Sequence, residues 1–302
     1  MRAAISLCAL ALAEISLPPP LPAQSDLPVF AHRTGGLRAA GLTESSGVAV
    51  SRRYPGVLWT HNDSGDESLI YAVDSTGRRL ARFRVRNARV RDWEDIALGP
   101  CPAVIGRDRH CLYIGDTGDN AERRPFVTLY VVPEPDPTAA GDTVAATQPA
   151  HALQIRYADG AHDAEALVAD PGGAVGIITK GRSGPILRYW IPESDLNQDS
   201  VTIQPVDTLP IAPQLLLGRW VTGAAIAPSG RLAVVRTYTD LYFFTIERGR
   251  WTAQARPCRL GLIEPQGEGV DFLDEGSRRL VLTSERGLAA EGVVTIVRCP
   301  QK

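Results

Sequence analysis

Five times in this chain a small or acidic residue stands directly before a short apolar run: ESSGVAV (44–50), DWEDIAL (92–98), DAEALVA (163–169), VTGAAIA (221–227) and QGEGVDF (266–272). Aligned on Ser46, Glu94, Glu165, Thr222 and Glu268, these segments recur at intervals of 48, 71, 57 and 46 residues. A period near fifty residues constrains the fold more than any local propensity does. Each unit has to bury its apolar faces against neighbouring units of the same kind.

Further strand-like runs follow each anchor, separated by turn sequences such as DSTG, APSG and LDEG. In the first unit they are VLWTH, LIYAV and LARFRV, and in the third AVGIIT, ILRYWI and SVTIQPV. Helical periodicity is nearly absent. Four short strands per unit predict an all-β, five-bladed β-propeller with four-stranded blades. An open β-sandwich or a six-bladed ring with one degenerate unit is the alternative. The long second interval is assigned to an insertion, EPDPTAAGDTVAATQPA (134–150), which reads as a loop between the third and fourth strands of its unit. The fifth unit has only three strands before the chain ends near Cys299, so PVFAHR (28–33) is expected to supply the missing outer strand and close the ring.

Arg2 precedes an apolar stretch from Ala3 to Ala13, followed by EISLPPPLPAQ with Ala23 before a cleavage site. Residues 1–23 therefore read as a secretory signal, leaving 24–302 as one propeller domain in a secreted or periplasmic protein. Removing the signal takes away Cys8 and leaves four cysteines, which allow three pairings. Cys101 and Cys111 flank one polar turn and Cys258 and Cys299 lie late in the chain, so these two bridges are expected. No CxxC spacing supports a zinc or redox motif. The formal charge of −2 argues against nucleic acid as a partner, and RVRNARVRD (84–92) reads as a basic edge strand and rim loop. No internal run reaches the ~18 apolar residues of a membrane span. The expectation is an exported monomer.

In a propeller the first strand of each blade lines the central channel, so the five anchors face one another. Neighbouring carboxylates a few ångströms apart repel by roughly 4 kcal/mol per pair at an intermediate effective dielectric. Such a ring calls for a cation. Every donor is an oxygen, which selects a hard ion, Ca²⁺ ahead of Mg²⁺. The expected ligands are Ser46, Glu94, Glu165, Thr222 and Glu268. Glu44, Asp92, Asp163 and Gln266 stand two residues before four of these anchors and form a second polar layer that holds water or orients the ligands. In DWED, Asp92 or Asp95 is left as an orienting or loop-capping group. The competing reading is that the carboxylates only accept backbone hydrogen bonds where loops enter strands.

The anchor pattern Ser46, Glu94, Glu165, Thr222 and Glu268 resembles that of the soluble calcium-activated nucleotidases, the secreted apyrases, over roughly residues 40–298. That resemblance implies a five-bladed propeller with one Ca²⁺ on its axis. DWEDIA, YIGDTGDN and DAEALV also resemble a set of uncharacterised secreted bacterial propellers, with likeness to phytase-type and esterase-like propeller domains.

The loops joining second and third strands open on the same face as these anchors, and they are polar: THNDSGDES (60–68), GDTGDNAERR (115–124), TKGRSG (179–184), RTYTD (236–240) and TSERG (283–287). Asp116, Asp119, His162 and Glu285 are the candidate catalytic groups. His61, Asp63, Arg123, Lys180, Arg182, Arg236 and Arg286 are the candidate substrate-binding groups, with Asp66 beside them. Cations from four blades next to carboxylates and a metal suit an anionic, phosphorylated small molecule. Arginine forks grip phosphate oxygens, and an aspartate or histidine orients or deprotonates water. No serine lies in a nucleophile-elbow sequence. The reading is a metal-dependent hydrolase of a phosphoanhydride or phosphoester. The alternative is a non-catalytic extracellular binding or scaffold module, with a structural axial ion and a charged face that grips a protein, glycan or surface.

Overall fold

The computed structural model describes residues 30–63, 65, 67–106, 109–140, 143–211, 220–275 and 278–300. The expected signal segment 1–23 and Asp66 lie outside the described residues. In chain order, β1 (Phe30–Gly36) comes first, and four strands follow as blade I: β2 (Ser45–Val50), β3 (Leu58–Asn62), β4 (Leu69–Val73) and β5 (Arg79–Arg86). Next come β6 (Asp95–Pro100), β7 (His110–Asp116), β8 (Val127–Pro133), β9 (Val144–Pro149) and β10 (His151–Tyr157). The third group is β11 (Ala164–Ala169), β12 (Val175–Thr179), β13 (Leu187–Ile191), β14 (Ser200–Ile203) and β15 (Pro205–Thr208). The fourth is β16 (Val221–Ile226), β17 (Leu232–Thr237), β18 (Asp240–Glu247), β19 (Arg250–Ala253) and β20 (Cys258–Arg259), and β21 (Gln266–Phe272), β22 (Arg279–Glu285) and β23 (Val293–Arg298) end the chain.

These strands form five sheets, each with an inner strand that begins just after or around one sequence anchor. The inner strands β2, β6, β11, β16 and β21 are neighbours in a closed ring, and β21 packs back against β2. The buried side chains divide in the same way, into five clusters that each lie between two consecutive blades. One such layer packs Trp59, Ile70 and Phe83 of blade I against Trp93, Ile96 and Ile114 of blade II. A sheet covered on both faces has no wet side, so β3 and β4 are buried at every position; β4, LIYAV, reads as an unbroken apolar run, while β3, LWTHN, ends in the buried polar residues Thr60, His61 and Asn62. Only the outer strands alternate: β10 buries Leu153, Ile155 and Tyr157 and exposes Ala152, Gln154 and Arg156. The fold is thus the five-bladed, all-β propeller expected from the repeat.

β1 pairs antiparallel with β23 and completes the fifth blade, so the ring is closed by the N-terminal strand. The 134–150 insertion is only partly a loop. Its second half, β9, leaves its own blade and pairs in parallel with β5 of blade I. That pairing covers β5, which is therefore not the edge strand that its basic sequence suggested. SVTIQPV divides similarly: β14 pairs in parallel with β10 of blade II, and β15 serves as the outer strand of blade III. Two strand exchanges therefore tie blades I, II and III together.

The disulfides are Cys101–Cys111 and Cys258–Cys299, the expected pairs. The first closes the β6–β7 hairpin, and the second ties β20 of blade IV to the end of blade V. Disulfides of this kind persist in oxidising compartments. No helix among the described residues is long and apolar enough to cross a membrane.

Candidate metal centre at the channel mouth

All five anchors are buried, and each sits at an irregularity in its strand pairing. Ser46, Glu165 and Thr222 are extra residues between consecutive pairs of the first two strands of blades I, III and IV. In blade V the register slips between Gly267 and Val270, leaving Glu268 and Gly269 unpaired. In blade II the Glu94 backbone N–H donates to the Gly115 carbonyl at 2.9 Å, and Asp95 faces that same residue. A bulge breaks the in–out alternation of a strand and re-aims the extra side chain. A repeated bulge is therefore why one polar position per unit can leave the blade core. Gly47, directly after Ser46, is required by packing, since a Cβ there would lie 2.5 Å from Asp95 Oδ1 and 2.7 Å from the Ile96 nitrogen.

The carboxylates gather at blades I to III. Glu94, Asp163 and Glu165 bring oxygens within 4.8 Å of one another, and Asp63, Asp92 and Glu94 do the same. Glu94 belongs to both groups. Gly118 makes room for them, because a Cβ there would meet Glu94 Oε1 at 2.1 Å and Asp92 Oδ2 at 2.5 Å. The Glu94 and Glu165 carboxyls face each other in this cluster, and the charge of Glu165 favours the protonated form of Glu94. Lys180, 6 % exposed, donates its ammonium to Glu165 Oε1. Glu268 accepts from Gln266 Nε2 at 3.1 Å, and its charge, after burial, raises the Tyr238 hydroxyl.

Burial, followed by the charges of Glu165, Asp63 and Asp92, raises the Glu94 carboxyl well above the usual carboxylate range. Burial also raises Glu165, with Lys180 opposing, and Glu268, with Glu165 and Glu285 adding to it. Asp92 is pushed up to about 6 by burial and by Asp63, and Glu285 to about 7 by burial and by Asp63. For Lys180 burial works against the charge, but Glu165, Glu94 and Asp163 outweigh it and hold the ammonium above its ordinary range. The Lys180 ammonium is thus shared among several carboxylates of the site. Two buried oxygens, Asp163 Oδ2 and Glu268 Oε2, have no hydrogen-bond partner among the described residues. A buried carboxylate oxygen left open in an acid cluster, as at Asp163, fits a hard cation, which is the donor chemistry of Ca²⁺.

Asp95 plays a different part from its neighbours in DWED. Its Oδ1 accepts from the Ile96 nitrogen at 2.8 Å, and its Oδ2 from Leu167 at 2.9 Å and Ala224 at 3.4 Å. One carboxylate thus bridges the inner strands of blades II, III and IV, just below the acid cluster.

Several residues expected at the mouth are engaged elsewhere. Arg236 is fully buried, donating to the Gly269 and Thr283 carbonyls and to Glu264 Oε2. His61 is also fully buried; its Nδ1 donates to the Asn62 carbonyl, its ring stands edge-on to Trp93, and burial lowers it to about 4. Asp116 pairs with Arg124 at 2.7 Å, and Asp119 Oδ2 accepts the backbone N–H groups of Arg123 and Arg124 at 2.6 Å each. His162 turns toward Asp159, 3.2 Å away, between Tyr157 and Tyr189. At the rim itself are half-buried Asp63 and Glu285 and exposed Arg123, Arg182 and Arg286. Arg182 lies 4.9 Å over the Trp220 ring and donates to Asn120 Oδ1.

The sequence placed Asp92 and Asp163 in a second layer and Asp63 on the substrate; the structure puts all three among the cluster oxygens. The two-residue offset before Glu94 and Glu165 was the available signal. Tyr238 and Glu264 carried none, because their partners Glu268 and Arg236 are joined to them only through the fold.

No protein-family model matches the chain, and no curated protein matches it. Among solved structures it is similar to the PQQ-bound form of an aldose sugar dehydrogenase from Streptomyces coelicolor, with TM-score 0.50 and 14 % identity over 91 % of this chain and 99 % of that one. It is also similar to a luciferin-regenerating enzyme, with TM-score 0.48 and 11 % identity over 90 % of this chain and 95 % of that one. At these identities the likeness bears on the fold alone.

Proposed function

We propose that this chain is an exported, calcium-dependent propeller whose mouth cation receives an anionic ligand, and that the reaction it serves is hydrolysis of a phosphoanhydride or phosphoester. The observation that carries this reading is the acid cluster from three blades with the open oxygen of Asp163 inside it. Glu94, Asp163 and Glu165 would hold Ca²⁺, with Asp63 and Asp92 on one side and Glu268 on the other; Ser46 and Thr222, at equivalent bulges, complete the ring of oxygens. Bound there, the ion would supply Lewis-acid charge for an anionic oxygen and a tie between blades. Asp63 and Glu285, half-buried at the rim, are the groups able to orient water. Arg123, Arg182 and Arg286 remain exposed for anion binding.

One observation favours a second reading, a non-catalytic extracellular binding module with a structural ion. Lys180 and Arg236, two of the four expected phosphate clamps outside Arg286, are held by Glu165 and Glu264. Phosphate release from nucleotides and from phytate, measured with Ca²⁺ and with chelator, separates the two. Calcium-dependent turnover supports the hydrolase. Calcium binding without turnover on either substrate leaves the binding module, and no calcium binding removes both.

A further inference from the structure

Below the acid cluster, the Asp95 carboxylate and its three backbone partners link the inner strands of blades II, III and IV. Past it, toward the opposite face, lies a cavity of about 190 Å³ with walls of Val48, Ile96, Leu98, Val168, Ile226 and Val270. All of these side chains except half-buried Leu98 are buried. No carboxylate of the acid cluster lines this space.

Its rim is charged on one side. Arg52 and exposed His110 stand there with Asp271. Asp271 is already satisfied, with Oδ2 accepting from the Val50 nitrogen and Oδ1 from the Phe272 nitrogen, each at 2.6 Å. Arg52 uses Nη2 on the Phe272 carbonyl at 2.8 Å and forms an ion pair with Asp271 Oδ1 at 3.5 Å, the main countercharge of that buried carboxylate. Its Nε and Nη1 donors make no hydrogen bond among the described residues. A guanidinium presents five N–H donors in a fork that matches a carboxylate. An apolar cavity near 150 Å³ is large enough for benzene.

We infer that the exit end of the channel is a second ligand site, for a small molecule with a ring-sized apolar body in the cavity and one carboxylate on Arg52. This inference does not depend on the metal reading, because no carboxylate of the acid cluster lines the cavity.

Benzoate is the probe, titrated into the full chain and followed by calorimetry and by intermolecular NOEs to methyl groups. The expected result is saturable millimolar or tighter binding, with NOEs to Ile96, Val168 and Ile226 methyls, equal in Ca²⁺ and in chelator. Arg52→Gln should weaken benzoate about tenfold or more, about 1.4 kcal/mol, while leaving toluene binding unchanged. Leu98→Trp should block both ligands. The NOEs stand as an independent measurement if that variant does not fold. The inference is overturned by absence of methyl contacts, by equal affinity for benzoate and toluene with no effect of Arg52→Gln, or by benzoate binding that vanishes in chelator, which would put the carboxylate at the mouth instead.

Discussion

Glu94→Gln should have opposite effects on the metal-free and the calcium-bound protein. Glu94 shares both acid groups, with oxygens of Asp163 and Glu165 on one side and Asp63 and Asp92 on the other within 4.8 Å. At that separation and an effective dielectric near 20, each ionised pair repels by about 3.5 kcal/mol. Part of that repulsion is already relieved, because burial and the charges of Glu165, Asp63 and Asp92 favour the protonated form of Glu94. Removing its charge should therefore stabilise the chelated protein by about 1–3 kcal/mol at pH 8, where protonation relieves the repulsion least. For a protein of this size that is a rise of roughly 2–10 °C in Tm. With calcium the amide offers one neutral oxygen in place of a carboxylate. The affinity should fall about a hundredfold, or about 2.7 kcal/mol. The assay is thermal unfolding in chelator and in saturating Ca²⁺, with calorimetry for affinity. If Glu94→Gln lowered Tm equally in both conditions, Glu94 would be a hydrogen-bonded structural group and the cation argument would fail.

The remaining predictions concern pH and packing. In chelator, the folded protein binds more protons than the unfolded chain, because Asp92 at about 6 and Glu285 at about 7 lie above their unfolded values. Stability should therefore be greatest in mild acid and fall as pH rises from about 5 to 7; a Tm flat or rising over that window contradicts the electrostatics. Gly47→Ala places a methyl group against the Asp95 and Ile96 backbone and should cost about 1–3 kcal/mol by urea unfolding, with no change in m-value. Cys258→Ala with Cys299→Ala opens a bridge spanning 41 residues and should cost about 2–5 kcal/mol, read as a loss of Tm in the absence of reductant, with reductant lowering Tm further because it also opens Cys101–Cys111.

The blade count was legible because it is local: one polar residue, one apolar run and three turn-separated strands recur within about fifty residues. The N-terminal closing strand followed from the three-stranded fifth unit. What stayed hidden depends on distant partners. β9 has the sequence VAATQP, with small residues and a proline, and is a strand only because β5 of another blade accepts it. His61 and Arg236 look like polar loop ends, yet Trp93 and Glu264 draw them into blade interfaces. The metal-binding candidates were half visible. Their residue type and two-residue offset mark Asp92 and Asp163 as channel groups, but the room that Gly118 leaves beside Asp92 and Glu94 shows only in the fold.

The most direct test is a crystal soaked in calcium and measured for anomalous scattering. The account predicts one strong peak within coordination distance, about 2.3–2.6 Å, of oxygens from Glu94, Asp163 and Glu165. A map with no peak there, and with Lys180 still bound to Glu165 at saturating calcium, would mean that the ammonium itself is the counter-ion of this centre.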